Sequence, residues 1–245
     1  MFAKLSENFL LLRYMRCLSF LVLIKLLSCC NKRKGVDLIF NRFEKFVFNV
    51  SDKNNLNNLL DLEENFGTFN DVFRTQIIQQ GNISDSAYIK ELIAFTNHPD
   101  MREAYDSTAA LYTDINDIKK DLNYAFSQAK FDFPELPTPT ITTFFGGFNY
   151  GVITYNNNIA IGLENFLGEN SKFYMLLRDP QYLKFQKQRK FISSNVIEVW
   201  INEYFQAINY DSDFLTQMLY KGKIMYCIDR MLPDSRIEDR FRFSK

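Results

Sequence analysis

The sequence predicts an α+β fold: a mostly helical domain with a small antiparallel sheet or hairpin near residues 140–163. Three observations predict it. Apolar residues recur at helical spacing through the first half of the chain, most cleanly at Ile115, Ile118, Leu122, Ala125, Phe126 and Ala129. Pro134, Pro137 and Pro139 then interrupt that spacing, and short runs rich in Thr, Ile, Val and aromatics follow at 140–145, 151–155 and 159–163. Behind Gly168 the helical spacing returns.

Taken in order, residues 36–50 predict a strand followed by a turn. Leu56, Leu59, Leu60 and Phe66 mark the apolar face of a first helix. Thr68 is a candidate cap for a second, with Phe69, Val72, Phe73 and Ile77 inward and Gly81 as its stop. Ser84 is a candidate cap for a third, carrying Tyr88, Leu92 and Phe95. Pro99 fits the first turn of a fourth, because its missing N–H costs nothing there. Asn156-Asn157-Asn158 is a hairpin turn candidate, and Gly146-Gly147 marks a bend or a close backbone approach. Ser194 is a candidate cap for the helix holding Val196, Ile197, Trp200 and Tyr204. The last helix carries Phe214, Leu215, Met218, Leu219, Gly222, Met225, Tyr226 and Leu232. So wide an apolar face predicts burial between neighbours.

Composition narrows the function classes. Lys plus Arg (29) equals Asp plus Glu (29), so the chain lacks the basic excess of a nucleic-acid binder. His98 is the only histidine, and none of the four cysteines sits in a Cys-x-x-Cys pair, which excludes the common zinc sites. The 25 Phe and 13 Tyr predict an aromatic-rich core.

The amino terminus reads as an export signal. Arg13 and Arg16 precede an apolar run over 17–27, too short to cross a bilayer, which takes about 20 residues, but matching the apolar core of a secretory signal. The run ends in Leu26-Leu27-Ser28-Cys29, which resembles the lipobox of bacterial lipoproteins. There the thiol takes up the lipid, and a small residue must precede it to enter the peptidase. The expected organisation is a signal peptide at 1–28, with Met15 as an alternative start, a lipidated tether at 29–35, and one α+β domain over 36–245. A short buried strand or an uncleaved anchor is the competing reading of the run. Two or three acyl chains, palmitate among them, would make anchoring stable where one is marginal.

The candidate chemistry is sparse. Glu164, Glu198 and Glu203 could form a carboxylate cluster for acid–base work, although helical carboxylates are commonly solvated. His98 precedes Pro99 and suits a cap or a surface position. Gly146-Gly147 lacks the Gly-Lys-Ser/Thr of a phosphate loop. Cys227 reads as a buried free thiol, with a disulfide to Cys30 as the alternative. The aromatic loop carrying Phe145, Phe148, Asn149 and Tyr150 is the candidate partner-binding loop, with core packing as the competing reading. No metal site, cofactor or catalytic residue is expected.

Several stretches carry a family resemblance: Phe-Gly-Thr-Phe-Asn-Asp-Val-Phe at 66–73, Phe-Gly-Gly-Phe-Asn-Tyr-Gly-Val-Ile-Thr at 145–154, and Asp-Phe-Leu-Thr-Gln-Met-Leu-Tyr-Lys-Gly-Lys-Ile-Met-Tyr at 213–226, then Met-Leu-Pro-Asp at 231–234. In this order they resemble the GldB family, the gliding-motility-associated lipoproteins of Bacteroidetes. The resemblance implies an envelope lipoprotein, held to a membrane by its N-terminal acyl chains, with a domain facing the periplasm. It implies a non-enzymatic component or accessory of the gliding machinery, partnered by other envelope or motility proteins. General envelope maintenance or secretion assembly is the alternative, and a hydrolase with an unrecognised carboxylate site a third. The resemblance also implies a longer chain, so a truncated C-terminus is expected. A weaker likeness concerns scaffold: strands, a hairpin and then a helix over 140–206 look like a zincin-type metallopeptidase that has lost its metal site, since 195–204 carries Glu198 and Glu203 but no histidine.

Overall fold

In the computed structural model, residues 35–52, 57–80, 85–205 and 213–242 are described. The signal at 1–28, Cys29 and Cys30, Leu56, the stop at Gly81 and the cap at Ser84 lie outside these residues. Strand β1 (Phe40–Arg42) leads directly into helix α1 (Phe43–Asp52). The predicted strand over 36–50 is therefore only three residues long. Phe43, Val47 and Phe48 recur at helical spacing and are all buried, so this stretch gains more apolar contact as a helix.

Helix α2 (Asn57–Val72) runs straight through Thr68 and passes into a π-helical turn at Phe73–Ile77. Thr68 thus caps nothing. Phe66, Phe69 and Phe73 form one continuous stripe against Phe43, with ring centroids 4.9–5.2 Å apart, and breaking the helix at Thr68 would split that stripe. Helices α3 (Asp85–Asn97) and α4 (Pro99–Leu111) follow. Pro99 opens α4 as predicted, and His98 caps it, its Nδ1 accepting the Asp100 N–H at 3.3 Å. Helix α5 (Asn116–Asp132) buries the predicted stripe, Ile118, Leu122, Ala125, Phe126 and Ala129.

The strands come next: β2 (Ile141–Phe144), β3 (Val152–Tyr155) and β4 (Asn158–Gly162). The hairpin β3–β4 is present, turning on Asn156 and Asn157 with φ of 44° and 62°. The sheet itself is not antiparallel. It is mixed, with order β1-β2-β4-β3, and both β1–β2 and β2–β4 are parallel. Period-2 patterning marks strands without saying which strand lies beside which, so the parallel pairing of β1 with β2 escaped the sequence reading.

A 3₁₀ turn (Leu163–Phe166), short helices α6 (Lys172–Leu176) and α7 (Gln181–Gln186), and a second 3₁₀ turn (Arg189–Phe191) lead to α8 (Ile192–Tyr204). Ser194 lies inside α8 rather than at its start, its hydroxyl donating back to the Phe191 carbonyl at 3.0 Å. Helices α9 (Phe214–Met231) and α10 (Ile237–Phe241) close the chain.

Helices cover both faces of the sheet. Against one face, Ile141, Ile159 and Ile161 pack with α5, α8 and α9. Against the other, Phe144 and Ala160 meet the phenylalanine-rich cluster of α1 to α4. The zincin-like scaffold is not supported. Glu198 and Glu203 leave α8 toward different neighbours: Glu198 to Lys221 of α9 and Arg242, Glu203 to Thr154 of β3. Nor is α9 buried between neighbours. Ile224, Ile228 and Met231 are buried, but Phe214, Leu215, Met218, Leu219 and Tyr226 are each more than half exposed.

Candidate functional site

The sheet's strand order dictates the position of the aromatic loop. Strands β2 and β4 end side by side, with Phe144 opposite Gly162. The chain must then cross the end of β4 to begin β3 on its far side. Residues 145–151 make that crossing at the C-terminal ends of the two central parallel strands, where open sheets commonly place their ligands. The crossing is tight. The Gly151 carbonyl accepts the Gly162 N–H at 2.8 Å, and a Cβ on Gly162 would stand 2.2 Å from the Tyr150 carbonyl oxygen.

Glu164 pins the crossing. Its Oε1 accepts the N–H groups of Gly146 at 2.7 Å and Phe148 at 3.1 Å. Between and at these contacts the backbone is left-handed, φ being 71° at Gly147 and 70° at Phe148. Phenylalanine rarely adopts that conformation, and the carboxylate contact helps hold it there. Glu164 is completely buried, and its Oε2 has no hydrogen-bond partner. Burial pushes its pKa up to about 7, opposed by the backbone N–H groups of Gly146 and Phe148, with the nearby Glu44 adding to the rise. Asn165 and Tyr174 complete the clamp. Asn165 donates to the Tyr150 carbonyl, and the Tyr174 hydroxyl donates to the Glu164 carbonyl while accepting the Leu167 N–H.

The loop's aromatics divide between core and surface. Phe145 is buried, edge-on to Phe48 and Tyr105. Phe148 leans on Phe173 and Tyr174. Asn149 is exposed at one edge yet donates to the Ile77 carbonyl at 2.9 Å. Only Tyr150 offers a ring to solvent. Core packing therefore accounts for Phe145 and most of Phe148. Beside the loop lies a cleft of about 420 Å³, floored by Gly146 and Gly147 and walled by Phe95, Met101, Gln80 and His98.

The three glutamates of the expected carboxylate cluster do not share a site. Glu164 is sealed under the loop, Glu203 accepts from Thr154, and Glu198 sits between Lys221 and Arg242. Burial pushes Glu198 up, but those two cations outweigh it and hold the carboxyl below its ordinary value. Cys227 is a half-buried free thiol, kept protonated by burial and by Asp132, which leaves it a weak nucleophile. Among the described residues no group of three or more metal-ligating side chains occurs, and no helix is long and apolar enough to cross a membrane.

Sequence reading missed two features. The first is the role of Glu164, for which Gly146-Gly147 followed by a glutamate behind a strand was the available signal. The second is an apolar groove of about 710 Å³ along α9, lined by Phe133, Ile201, Phe205, Met218, Leu219 and Cys227 among others.

Residues 30–245 match a protein-family model described as gliding motility protein GldB. No curated protein and no solved structure matches the chain.

Proposed function

The chain belongs to the GldB family of gliding motility lipoproteins, and from that premise we propose that it is an anchored, non-enzymatic component of the gliding machinery. Family membership brings gliding motility and association with the cell envelope. The finer reading is that Cys29 carries the acyl chains, that residues 1–28 are removed, and that the domain over 36–245 works in the periplasm by binding other motility proteins. The family match over 30–245 is the observation that carries it.

The absence of chemistry is supported by the use made of each reactive candidate. His98 caps a helix, Glu198 and Glu203 are engaged in ion pairing and hydrogen bonding, and Glu164 is sealed from solvent. The surface of the crossing loop, with its exposed Tyr150 and with Asn149 lining the cleft floored by Gly146 and Gly147, is the binding face this reading favours.

Deletion of the gene tests the function. The expected result is loss of colony spreading at an unchanged growth rate, restored by the intact gene and by Glu203→Gln alike. A deletion strain that spreads normally overturns the motility reading. Loss of rescue with Glu203→Gln, at unchanged protein level, overturns the non-enzymatic part of it.

A further inference from the structure

Single exposed apolar residues need no account, but a contiguous stripe on a helix does. Phe214, Leu215, Met218, Leu219 and Tyr226 recur at helical spacing on the outward side of α9, and all are more than half exposed. The groove of about 710 Å³ is lined by three of them, Met218, Leu219 and Tyr226, together with Phe133, Ile201 and Phe205. Lys223 lines it as well.

The chain enters the domain on the same core cluster that the groove adjoins. The Val36 N–H donates to the Ser127 hydroxyl at 2.7 Å, and the Leu38 N–H to Asn123 Oδ1 at 2.9 Å. The entering chain therefore lies along α5, and Val36 packs on the same core cluster as Phe133 and Cys227. From Ser127 to Phe133 is six residues, or roughly 9 Å along a helix. Six residues also separate Cys29 from Gly35, and a chain of that length spans about 22 Å at most. An acylated Cys29 would thus keep the domain close to the leaflet that holds it. One acyl chain binds a membrane marginally, so a second apolar contact at that distance adds materially to anchoring.

We propose that the outward stripe of α9 and the groove at Met218, Leu219 and Tyr226 dock on the membrane leaflet that holds the anchor, seating the acyl chains of that leaflet's lipids against Met218, Leu219 and Phe133. The proposal rests on the reading of Cys29 as the lipid attachment site. Lys223 at the groove suits the anionic headgroups of such a leaflet.

The test uses the full-length, processed protein reconstituted in phosphatidylethanolamine–phosphatidylglycerol vesicles whose acyl chains carry bromine, a short-range quencher. In a Cys30→Ser, Cys227→Ser background, a fluorescent maleimide is attached at Met218→Cys, at Leu219→Cys, or at Lys90→Cys as reference. Lys90 is exposed on α3, which packs on the other face of the sheet. All three positions lie outside the core. Intact mass of each sample reads the anchor separately. The expected result is an acylated protein with about a twofold loss of emission at 218 and 219 and almost none at 90, as for a face buried at the acyl boundary. Acylated protein with all three probes equally bright overturns the docking face and leaves the anchor standing. A mass without acyl groups overturns both. Unquenched probes in a protein that runs as a dimer assign the stripe to self-association and overturn the proposal.

Discussion

Glu164 holds one carboxylate oxygen against two backbone N–H groups and leaves the other buried without a partner, an arrangement that costs more when the group is charged than when it is protonated. Its pKa stands at about 7 in the fold, against an ordinary value of 4.5. Between those values the folded protein keeps a proton that the unfolded chain has released. Its contribution is therefore fully present below about pH 4.5 and is lost as pH rises through about 7, a change on the order of 3 kcal/mol. The groups facing it are Glu44, Tyr112 and Tyr174. Denaturant melts of Glu164→Gln at about pH 5 and about pH 8 should show most of the native loss of stability abolished. An unchanged loss would place the titrating group elsewhere. The glycines divide as sharply. A Cβ on Gly162 meets the Tyr150 carbonyl at 2.2 Å, whereas one on Gly222 meets nothing within 4 Å. Gly162→Ala should cost about 1–3 kcal/mol in thermal melts, and Gly222→Ala, inside α9, should add about 0.5–1 kcal/mol. At this scale the sequence pointed to Gly146, Gly147 and Glu164 as notable residues. It grouped Glu164 with the wrong partners, because spacing along a chain says nothing of a contact made across a strand crossing.

At the scale of elements, the legible parts were those with a local cause. Proline fixes its own φ, so Pro99 announced the start of α4. The α5 stripe needed only its 3.6-residue period. Asn156 and Asn157 tolerate the left-handed region and set a two-residue hairpin turn. Replacing Asn157 by Val puts a β-branched residue at φ 62° and should cost about 1–2 kcal/mol, read as a lowered melting temperature. An unchanged melt would mean that the turn relaxes into another type. The caps at Thr68 and Ser194 failed for a shared reason. A hydroxyl caps only where a helix begins, and in both places burial of apolar residues upstream starts the helix earlier. A strand over 36–50 was expected, but its three-residue length and its parallel pairing to β2 arise from contact across a hundred residues, which leaves no local mark. The wide apolar face of α9 was read correctly as apolar and wrongly as buried, since hydropathy does not distinguish a core from a docking surface.

For the whole molecule, two cores grip one small mixed sheet: an aliphatic one with Trp200 under α5, α8 and α9, and a phenylalanine-rich one under α1 to α4. The loop between β2 and β3 is tied to the second core through Phe145, and Glu164 fixes it from behind β4. Family and helical class were legible in the sequence because both are spread over the whole chain. The loop of the proposed binding face was legible as a sequence stretch, but the cleft beside it was not, because that cleft is assembled from α3, α4 and the crossing loop. The central claim is that the domain acts in gliding only when held at a membrane by Cys29. It is tested most directly by single-cell gliding of a deletion strain carrying Cys29→Ala at a protein level matched to the intact gene. The intact gene should restore movement, and Cys29→Ala should leave the cells stationary. Movement at the intact-gene speed in the Cys29→Ala strain would contradict it.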